Sequence, residues 1–276
     1  MKELESDSFL NRPFPRVWPE TIRVVSWNIN RGLQLNGIIN FLGASSADLI
    51  LLQETDINAR RTGRHNIPRK IAQALRMDYI FGCEFEELAQ GSRTNPAYHG
   101  QTTLSRLPLS SGRVLMFREQ STFWRPRWFV PPLQCLQRRL GGRMALICEI
   151  TVGGRTLVLC NVHLESRGSD QLRIRQLSEI LTDIGQHRAE TSVLVAGDFN
   201  FDLSLGPAES LIAGTGIDNP FATFGGRRTV LESRHGKPAA IDWMLTRGPV
   251  FARHPAIHKS IAASDHFPLS VELRLQ

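Results

Sequence analysis

Short apolar runs separated by helix-like segments make up most of the chain from Ile22 onwards. Seven of these runs are rich in Val, Ile and Leu and have the length of strands. They are IRVVSW (22–27), DLILLQ (48–53), RMALICEITV (143–152), TLVLCNV (156–162), SVLVAG (192–197), AIDWMLT (240–246) and LSVELRL (269–275). Helices are predicted over 34–44, 66–76 and, most clearly, 169–187, where an apolar stripe recurs at helical spacing after a capping residue. The stripe is Leu172, Leu177, Ile180, Leu181 and Ile184, and the cap is Ser169 or Asp170.

The predicted strands are hydrophobic on both faces, and few helices lie between them. This pattern is typical of an α/β fold in which two β-sheets pack together and helices cover the outside. No repeat and no linker divides the chain, so we predict a single domain over 21–276. Residues 1–20 are polar and contain three prolines, which predicts an extended or disordered lead-in.

Seven short polar segments adjoin the apolar runs. They are WNIN (27–30), QE (53–54), GQTTLSR (100–106), NVHLE (161–165), GDFN (197–200), IDW (241–243) and SDH (264–266). In three of them, two polar residues stand two apart after a predicted strand, which places both on one face of that strand. These pairs are Asn28 with Asn30, Asn161 with His163, and Asp198 with Asn200. Carboxylates, histidines and carboxamides that converge in one cleft predict hard-metal and phosphate chemistry.

Glu54 and Asp265 are the predicted metal ligands. Glu54 follows the apolar run 49–52, and a partly buried carboxylate at a strand end is costly without a cation. Mg²⁺ or Mn²⁺ is expected rather than zinc because the neighbouring donors are oxygens. Adjacent residues of an extended segment point in opposite directions, so Asp265 can reach the metal while His266 reaches the phosphate. The alternative for Glu54 is an exposed acid that caps the next segment.

Asp198 and Asn200 are predicted to orient a water molecule. Asp198 would accept its proton, while Asn200 would fix its position or contact phosphate. Gly197 permits close approach of backbone or ligand. The alternative is a turn, because Gly, Asp and Asn are common turn residues.

Asp242 is the predicted partner of His266. An Asp–His pair raises the imidazole pKa and holds the ring as a cation or proton donor against developing negative charge. His163 would give a second nitrogen donor to phosphate oxygens. The alternatives are an edge-strand acid for Asp242 and a core histidine for His266.

Charge adds a candidate partner. The 276-residue chain has a net charge of +7 and a sequence pI near 9.8, which favours an anionic partner such as nucleic acid, a lipid headgroup or a phosphorylated small molecule. The stretch 117–143 interleaves aromatic residues with arginines, and Arg125 and Trp128 are candidate contacts for stacked bases. Two alternatives stay open: a basic surface without a specific partner, and a surface loop whose aromatics pack onto the core.

Other classes of function lack support in the sequence. The four cysteines (Cys83, Cys135, Cys148 and Cys160) show no zinc spacing, and Cys148 and Cys160 lie in apolar runs that suit small buried side chains. No P-loop, GxGxxG or nucleophile elbow is present. The N-terminus lacks the apolar core of a signal peptide, and no stretch approaches the ~18 apolar residues of a membrane span. We therefore expect a soluble cytoplasmic protein, and a monomer.

Together, the ordered segments SWNIN, LLQE, LSRLP, NVHLES, GDFN, IDWML and SDHFPL resemble the endonuclease/exonuclease/phosphatase superfamily of metal-dependent phosphodiesterases. The resemblance runs from Trp27 to His266. It implies a DNase I-like four-layer sandwich, in which two packed mixed β-sheets are flanked by helices and the active site lies at one end.

The resemblance also implies roles for individual residues. Glu54 looks like the principal metal ligand, with Asn30 and Asp265 nearby. His163, Asn28 and Asn161 look like phosphate contacts or supporting residues, and the roles of the other residues agree with those inferred above. Abasic-site endonucleases usually carry an acid where Asn30 stands and a tyrosine in the region of His163, so the chain departs from that subfamily.

NVHLES and the helix that follows are similar to tyrosyl-DNA phosphodiesterases of the 5′ type. Those enzymes carry a GDTN-type segment followed by a basic residue, whereas here Phe201 and Asp202 follow GDFN.

The sequence thus predicts a Mg²⁺- or Mn²⁺-dependent phosphodiesterase, either a nuclease or a nucleic-acid end-processing enzyme. Two alternatives are carried forward. The first is a phosphomonoesterase or lipid-headgroup phosphodiesterase on the same scaffold. The second is a catalytically silent module that binds nucleic acid or protein in the cleft.

Overall fold

A computed structural model describes residues 3–10, 17, 19–121, 131, 137–204, 206–222, 228–231 and 239–276. The strands in these ranges are β1 (Leu4–Asp7), β2 (Ile22–Arg31), β3 (Leu49–Ile57), β4 (Asp78–Glu87), β5 (Tyr98–Ser105), β6 (Leu109–Met116), β7 (Arg139–Gly141), β8 (Met144–Val152), β9 (Arg155–His163), β10 (Ser192–Asp198), β11 (Ile217–Asp218), β12 (Asp242–Arg247), β13 (Val250–Ile257) and β14 (Leu269–Leu275). The α-helices are α1 (Leu35–Ser45), α2 (Ile67–Leu75), α3 (Asp170–Ile184) and α4 (Gly206–Ile212).

The strands form two mixed sheets. One has eight strands in the order β1-β4-β5-β3-β2-β14-β13, with β7 also paired to β4, and the other has six in the order β11-β12-β10-β9-β8-β6. Each sheet contains one parallel pair at its centre, β2 with β3 and β9 with β10, among antiparallel neighbours. The predicted fold class, two packed mixed sheets with helices outside, is confirmed.

Two apolar cores hold the layers together. The larger contains residues from the facing sides of both sheets and continues to Leu177, Ile180 and Ile184 of α3. The smaller lies between the eight-stranded sheet and helices α1 and α2. Cys148 and Cys160 are buried and free, as predicted for small core residues.

All seven predicted strands and the three predicted helices are present. Helix α3 begins after Ser169, whose side chain accepts a hydrogen bond from the backbone N–H of Leu172. The pattern missed the strands with mixed or polar faces, namely β1, β4, β5, β6, β7, β11 and β13, and the short helix α4. Strand β1 lies inside the lead-in predicted for residues 1–20 and pairs with β4. No helix in the described ranges has the length and apolarity needed to cross a membrane.

Candidate active site

Three neighbouring strands bring a row of polar side chains to one end of the six-stranded sheet. In the parallel pair β9–β10, His163 stands beside Asp198, and in the antiparallel pair β10–β12, Asp198 stands opposite Asp242. All three residues are buried. His163 Nε2 lies 3.6 Å from Asp198 Oδ2. The sheet register therefore assembles a histidine and two acids that are far apart in sequence.

His266, which precedes β14, completes this row from the other sheet. Its Nδ1 lies 3.0 Å from each carboxylate oxygen of Asp242, and its Nε2 lies 3.8 Å from Asp198 Oδ2. A ring nitrogen between two carboxylate oxygens carries its proton and donates. Burial lowers the pKa of His266, but the charges of Asp242 and Asp198 outweigh burial and raise this pKa well above its usual value. The raised pKa favours an imidazolium at neutral pH, which is the state that the predicted Asp–His pair would need.

Asp198 is held by two further donors. Asn28 Nδ2 donates to its Oδ2 at 3.0 Å, and the backbone N–H of Asn200 donates to its Oδ1 at 2.9 Å. Burial raises the pKa of Asp198, the cation on His266 opposes this, and Asp242 adds to it, so the net shift is upward. A carboxylate with a raised pKa is a better proton acceptor.

Gly197 allows the parallel strands to approach at this point. Its φ is +149°, and a Cβ placed there would lie 1.9 Å from the carbonyl oxygen of Val162. The expectation that Gly197 permits close backbone approach is confirmed, and this approach sets Asp198 beside His163.

A second group of oxygen donors lies at the end of β2 and at the irregularity in β3 between Leu52 and Thr55. Asn30, Arg31 and Glu54 have left-handed backbones, with φ of 44°, 68° and 53°, and the register between the two strands shifts there. The Arg31 guanidinium donates to Asn30 Oδ1 and lies 3.5 Å from Glu54 Oε2. Burial would raise the pKa of Glu54, but the positive charge of Arg31, with smaller contributions from other cations, holds it far below its usual value. The lowered pKa favours an ionised Glu54, and Arg31 contacts both Glu54 and the Asn30 oxygen.

The two groups are connected through Asn28 and Ser264. Asn28 Oδ1 accepts the backbone N–H of Asn30, while its Nδ2 reaches Asp198. Ser264 Oγ lies 2.7 Å from the carbonyl oxygen of Asn28 and 3.2 Å from Asp265 Oδ1. Asp265 is exposed, and His266 next to it is buried. The two adjacent side chains therefore have different surroundings, and the groups that they serve stay a prediction.

Strand alternation does not account for the positions of Asn30 and Asn200. Both have a left-handed backbone, and β10 ends at Asp198, before Asn200. The Asn200 side chain donates to the carbonyl of Leu164 at 3.1 Å. Asn161 does follow the alternation, but its amide is fully buried between the sheets and donates to the carbonyls of Leu52 and Thr102. It therefore has the position of a supporting residue beneath the site.

Two groups of residues offer ligands for a divalent cation, and they differ in their donor atoms. Within the described ranges, Asp198, Asp242 and His266 offer ligand atoms that all lie within 4.8 Å of one another. Each group already faces a cation, since His266 is itself part of this cluster and Arg31 contacts both Asn30 and Glu54, but only this cluster includes a ring nitrogen among its ligands. Glu54 and Asn30 offer oxygens, the donors that Mg²⁺ and Mn²⁺ prefer. On donor type, the group of Glu54 and Asn30 therefore fits a hard divalent cation better.

Two buried residues beside His163 were not singled out from the sequence. Arg143 Nη1 lies 2.9 Å from His163 Nδ1 and 3.0 Å from Glu84 Oε2. Arg143 directly precedes β8, where it looked like the polar start of a strand. Glu84 lies in β4, which alternating apolar residues could have revealed, namely Tyr79, Phe81, Cys83 and Phe85.

Arg125 and Trp128, the candidate base contacts, lie outside the described residues. The described ends of the stretch 117–143 adjoin the site. The backbone N–H of Ser121 donates to the buried Glu165 at 3.2 Å, two residues after His163, and Arg143 contacts His163 itself. Ser121 therefore reaches the loop that follows His163, and Arg143, the last residue of the stretch, reaches His163.

Comparison with known proteins identifies a family. A sequence model described as the Endonuclease/Exonuclease/phosphatase family matches residues 25–266. No curated protein sequence matches the chain significantly.

Solved structures share the fold at low identity. The human Nocturnin catalytic domain with bound sulfate anion has a TM-score of 0.68 and 14% identity, covering 99% of this chain and 98% of that one. An endonuclease/exonuclease/phosphatase from Beutenbergia cavernae DSM 12333 has a TM-score of 0.66 and 18% identity, covering 93% and 72%. D. rerio TDP2 complexed with single strand DNA product has a TM-score of 0.63 and 19% identity, covering 93% and 100%. These structures confirm the predicted DNase I-like fold.

Proposed function

The chain belongs to the endonuclease/exonuclease/phosphatase family, whose members are hydrolases that act on phosphoesters, and we propose that it is a Mg²⁺- or Mn²⁺-dependent phosphodiesterase that cleaves or trims nucleic acid. The observation that carries this proposal is the arrangement around Asp198. A buried carboxylate of raised pKa lies between His163 and the imidazolium of His266, and Asn28 connects it to the oxygen donors Asn30 and Glu54.

The residues divide the work of hydrolysis among them. Asp198 accepts the proton of an attacking water, and Asp198 and Asn200 together hold that water in position. His266 and His163 present N–H groups to the phosphate oxygens as negative charge develops on them. Asp242 keeps His266 oriented and charged. Glu54, Asn30 and Asp265 would hold the divalent cation, which supplies Lewis-acid neutralisation of that charge when bound.

A polynucleotide substrate is supported by charge and by one neighbour. The net charge of +7 would attract a polyanion, and the D. rerio TDP2 structure contains a single strand DNA product. Two residues of the arginine- and aromatic-rich stretch 117–143 lie near the site: Ser121 contacts Glu165, two residues after His163, and Arg143 contacts His163. Together these features favour an extended anionic substrate over a small phosphoester.

The test is hydrolysis of end-labelled single- and double-stranded DNA and RNA, with Mg²⁺, Mn²⁺ or EDTA. Asp198→Ala should lower turnover by about 10²-fold or more without loss of fold, because it removes the proton acceptor. Asp183→Ala is the matched control, since Asp183 pairs with Arg113 on the surface, away from the site.

Product lengths will separate endonuclease, exonuclease and end-processing action. Full activity in Asp198→Ala would contradict the proposed role of this residue. Hydrolysis of small or lipid phosphoesters without cleavage of any polymer would show that the substrate is a small or lipid phosphoester and not a nucleic acid. Binding of polymers without turnover under any metal would favour a silent binding module.

A further inference from the structure

We propose that Arg143 is a positioning residue that holds His163 as a neutral ring with its proton on Nε2, so that His163 can donate a hydrogen bond to the phosphate but cannot act as a general acid. The tautomer is inferred from the contacts of the ring alone. Its consequence for catalysis rests on the proposed function.

Arg143 is fixed from several sides beneath the site. It is 3% exposed, and its guanidinium lies over the ring of Phe85 at 5.7 Å. Its Nη1 lies 2.9 Å from His163 Nδ1 and 3.0 Å from Glu84 Oε2, and its Nη2 donates to Ser166 Oγ at 3.0 Å. A planar guanidinium held in this way has little freedom to turn its N–H groups away from the histidine.

The chemistry of the guanidinium determines the state of the ring. Arginine has five N–H donors, no acceptor, and is always charged in proteins. At 2.9 Å from Arg143, His163 Nδ1 must therefore present a lone pair, because a proton there would face another N–H. A neutral ring with Nδ1 unprotonated carries its proton on Nε2, the nitrogen that lies 3.6 Å from Asp198 Oδ2.

Glu84 shows why Arg143 determines which nitrogen of His163 carries the proton. Its Oε1 lies 3.6 Å from His163 Nδ1, close enough that a direct carboxylate–imidazole pair would favour a proton on Nδ1. Arg143 donates to Oε2 of Glu84 instead, and Gln101 donates to Oε1 at 3.0 Å. Burial, first, and then the Arg143 charge hold the pKa of His163 well below its usual value, in agreement with a neutral ring. Arg143 thus donates the N–H that faces His163 Nδ1, so Nδ1 itself carries no proton.

The consequence is that the two histidines of the site have different roles. His266 donates from Nδ1 to Asp242, whereas His163 accepts at Nδ1 from Arg143. Protonation of a leaving group therefore falls to His266 or to water. His163 contributes one uncharged N–H donor.

Nitrogen NMR on protein labelled with ¹⁵N at histidine tests the tautomer directly, because protonated and unprotonated ring nitrogens have distinct shifts and couplings. A His163→Gln variant assigns the signals. At neutral pH, His163 should show an unprotonated Nδ1 and a protonated Nε2 in the wild type. A protonated Nδ1 on His163 in the wild type would overturn the proposal, and this result needs no arginine variant.

Variants then show whether Arg143 is the cause. In Arg143→Met, Glu84 should pair with His163, and a proton should appear on Nδ1. If the single variant does not fold, the double variant Glu84→Gln/Arg143→Met is used instead, because it leaves no unpaired buried charge. In the double variant, the His163 ring should sample both tautomers. Arg139→Met is the matched control, since Arg139 also lies over Phe85 and pairs with Glu87, and it should leave His163 unchanged. An unchanged tautomer in the double variant would show that Arg143 is not the cause.

Kinetics give a separate result for catalysis. On whichever phosphoester the wild type hydrolyses, the double variant should lose about tenfold or more in kcat with little change in KM. If no phosphoester is hydrolysed, the proposed function fails while the tautomer result stands. If the tautomer changes and kcat does not, the positioning role is contradicted.

Discussion

Among single residues, Asp198 lies between two histidines. In each histidine a neighbouring side chain determines whether Nδ1 carries a proton, and the two neighbours have opposite charges. A carboxylate, Asp242, accepts from His266 Nδ1, whereas a guanidinium, Arg143, donates to His163 Nδ1. The same type of side chain therefore provides a cation on one side of Asp198 and a neutral N–H on the other. A proton acceptor with two unlike donors around it suits attack of water on phosphorus.

Replacing Asp242 with Asn tests the charged member of this set. The carboxamide cannot stabilise the imidazolium of His266, so turnover at neutral pH should fall by roughly 10²-fold. Steady-state kinetics are the measurement, with circular dichroism and Tm to establish that the fold is retained. Asp183→Asn serves as the control. Unchanged turnover in Asp242→Asn would mean that the Asp242–His266 pair has no part in the reaction.

A buried ion cluster near Glu54 predicts how stability responds to acid. Asp56 is fully buried, with its carboxylate 2.6 Å and 2.8 Å from Arg61 and 2.8 Å from His99. Burial raises the pKa of Asp56, but the hydrogen bonds from His99 and Arg61 outweigh it and lower the pKa. A lowered pKa in the folded state stabilises the protein above the unfolded pKa of about 3.9, and this contribution is lost as pH falls through the folded value.

Asp56→Asn should therefore lower the free energy of unfolding at pH 7 by about 3–5 kcal/mol, since it leaves Arg61 without its main partner. The difference from the wild type should shrink below about pH 4, where Asp56 of the unfolded chain takes up a proton while folded Asp56 is still ionised. Denaturant unfolding at several pH values is the measurement. A difference that stays constant down to pH 3 would contradict this account.

At the scale of elements, the site depends on how closely β9 and β10 approach. Gly197→Ala would put a methyl carbon 1.9 Å from the Val162 carbonyl oxygen in a backbone conformation with φ of +149°. We expect a loss of stability of about 3 kcal/mol, measured by denaturant unfolding, and lower activity because Asp198 moves relative to His163.

Gly154→Ala separates the clash from the backbone strain. Gly154 has φ of +78°, and nothing lies within 4 Å of the position that an added methyl carbon would take, so this substitution should have the smaller effect, about 1 kcal/mol. Equal losses of stability in the two variants would show that the close approach of the strands at Gly197 does not cause the destabilisation.

The elements also show how far the sequence could predict the fold. Strands buried on both faces, such as β3 and β10, appear as continuous apolar runs and were predicted. Strand β4 does alternate apolar residues, but it also carries the acids Glu84 and Glu87, which are buried in ion pairs, whereas β6 and β13 are largely exposed or partly exposed and have no apolar signature. A polar strand that gains its partners only in the folded protein cannot be recognised from local composition.

The same limit applies within the site. His163, Asp198 and Asp242 lie at predicted strand ends, and their positions follow from regular pairing. Asn30 and Asn200 depend on left-handed backbone turns that alternation does not describe. The role of Arg143 depends on contacts with Glu84 and His163, which come from other strands, so no local pattern could indicate it.

At the scale of the whole molecule, the site lies where the ends of both sheets meet. Strands β2 and β3 of one sheet supply Asn28, Asn30 and Glu54, and strands β9, β10 and β12 of the other supply the row around Asp198. Asn28 joins the two, since its side chain contacts Asn30 on its own strand and Asp198 across the sheets. The packing of the two sheets thus aligns the predicted metal ligands with the predicted proton acceptor.

We propose that Glu54 holds a divalent cation needed for phosphoester hydrolysis, and a metal titration tests this role. Initial rates on end-labelled DNA would be measured against Mg²⁺ and Mn²⁺ concentration for the wild type and Glu54→Gln, with the exposed Glu209→Gln on α4 as control. We predict that EDTA abolishes hydrolysis, that added metal restores it, and that Glu54→Gln alone needs far more metal and reaches a lower maximum. Hydrolysis that survives EDTA, or a Glu54→Gln titration that coincides with the wild type, would contradict the claim.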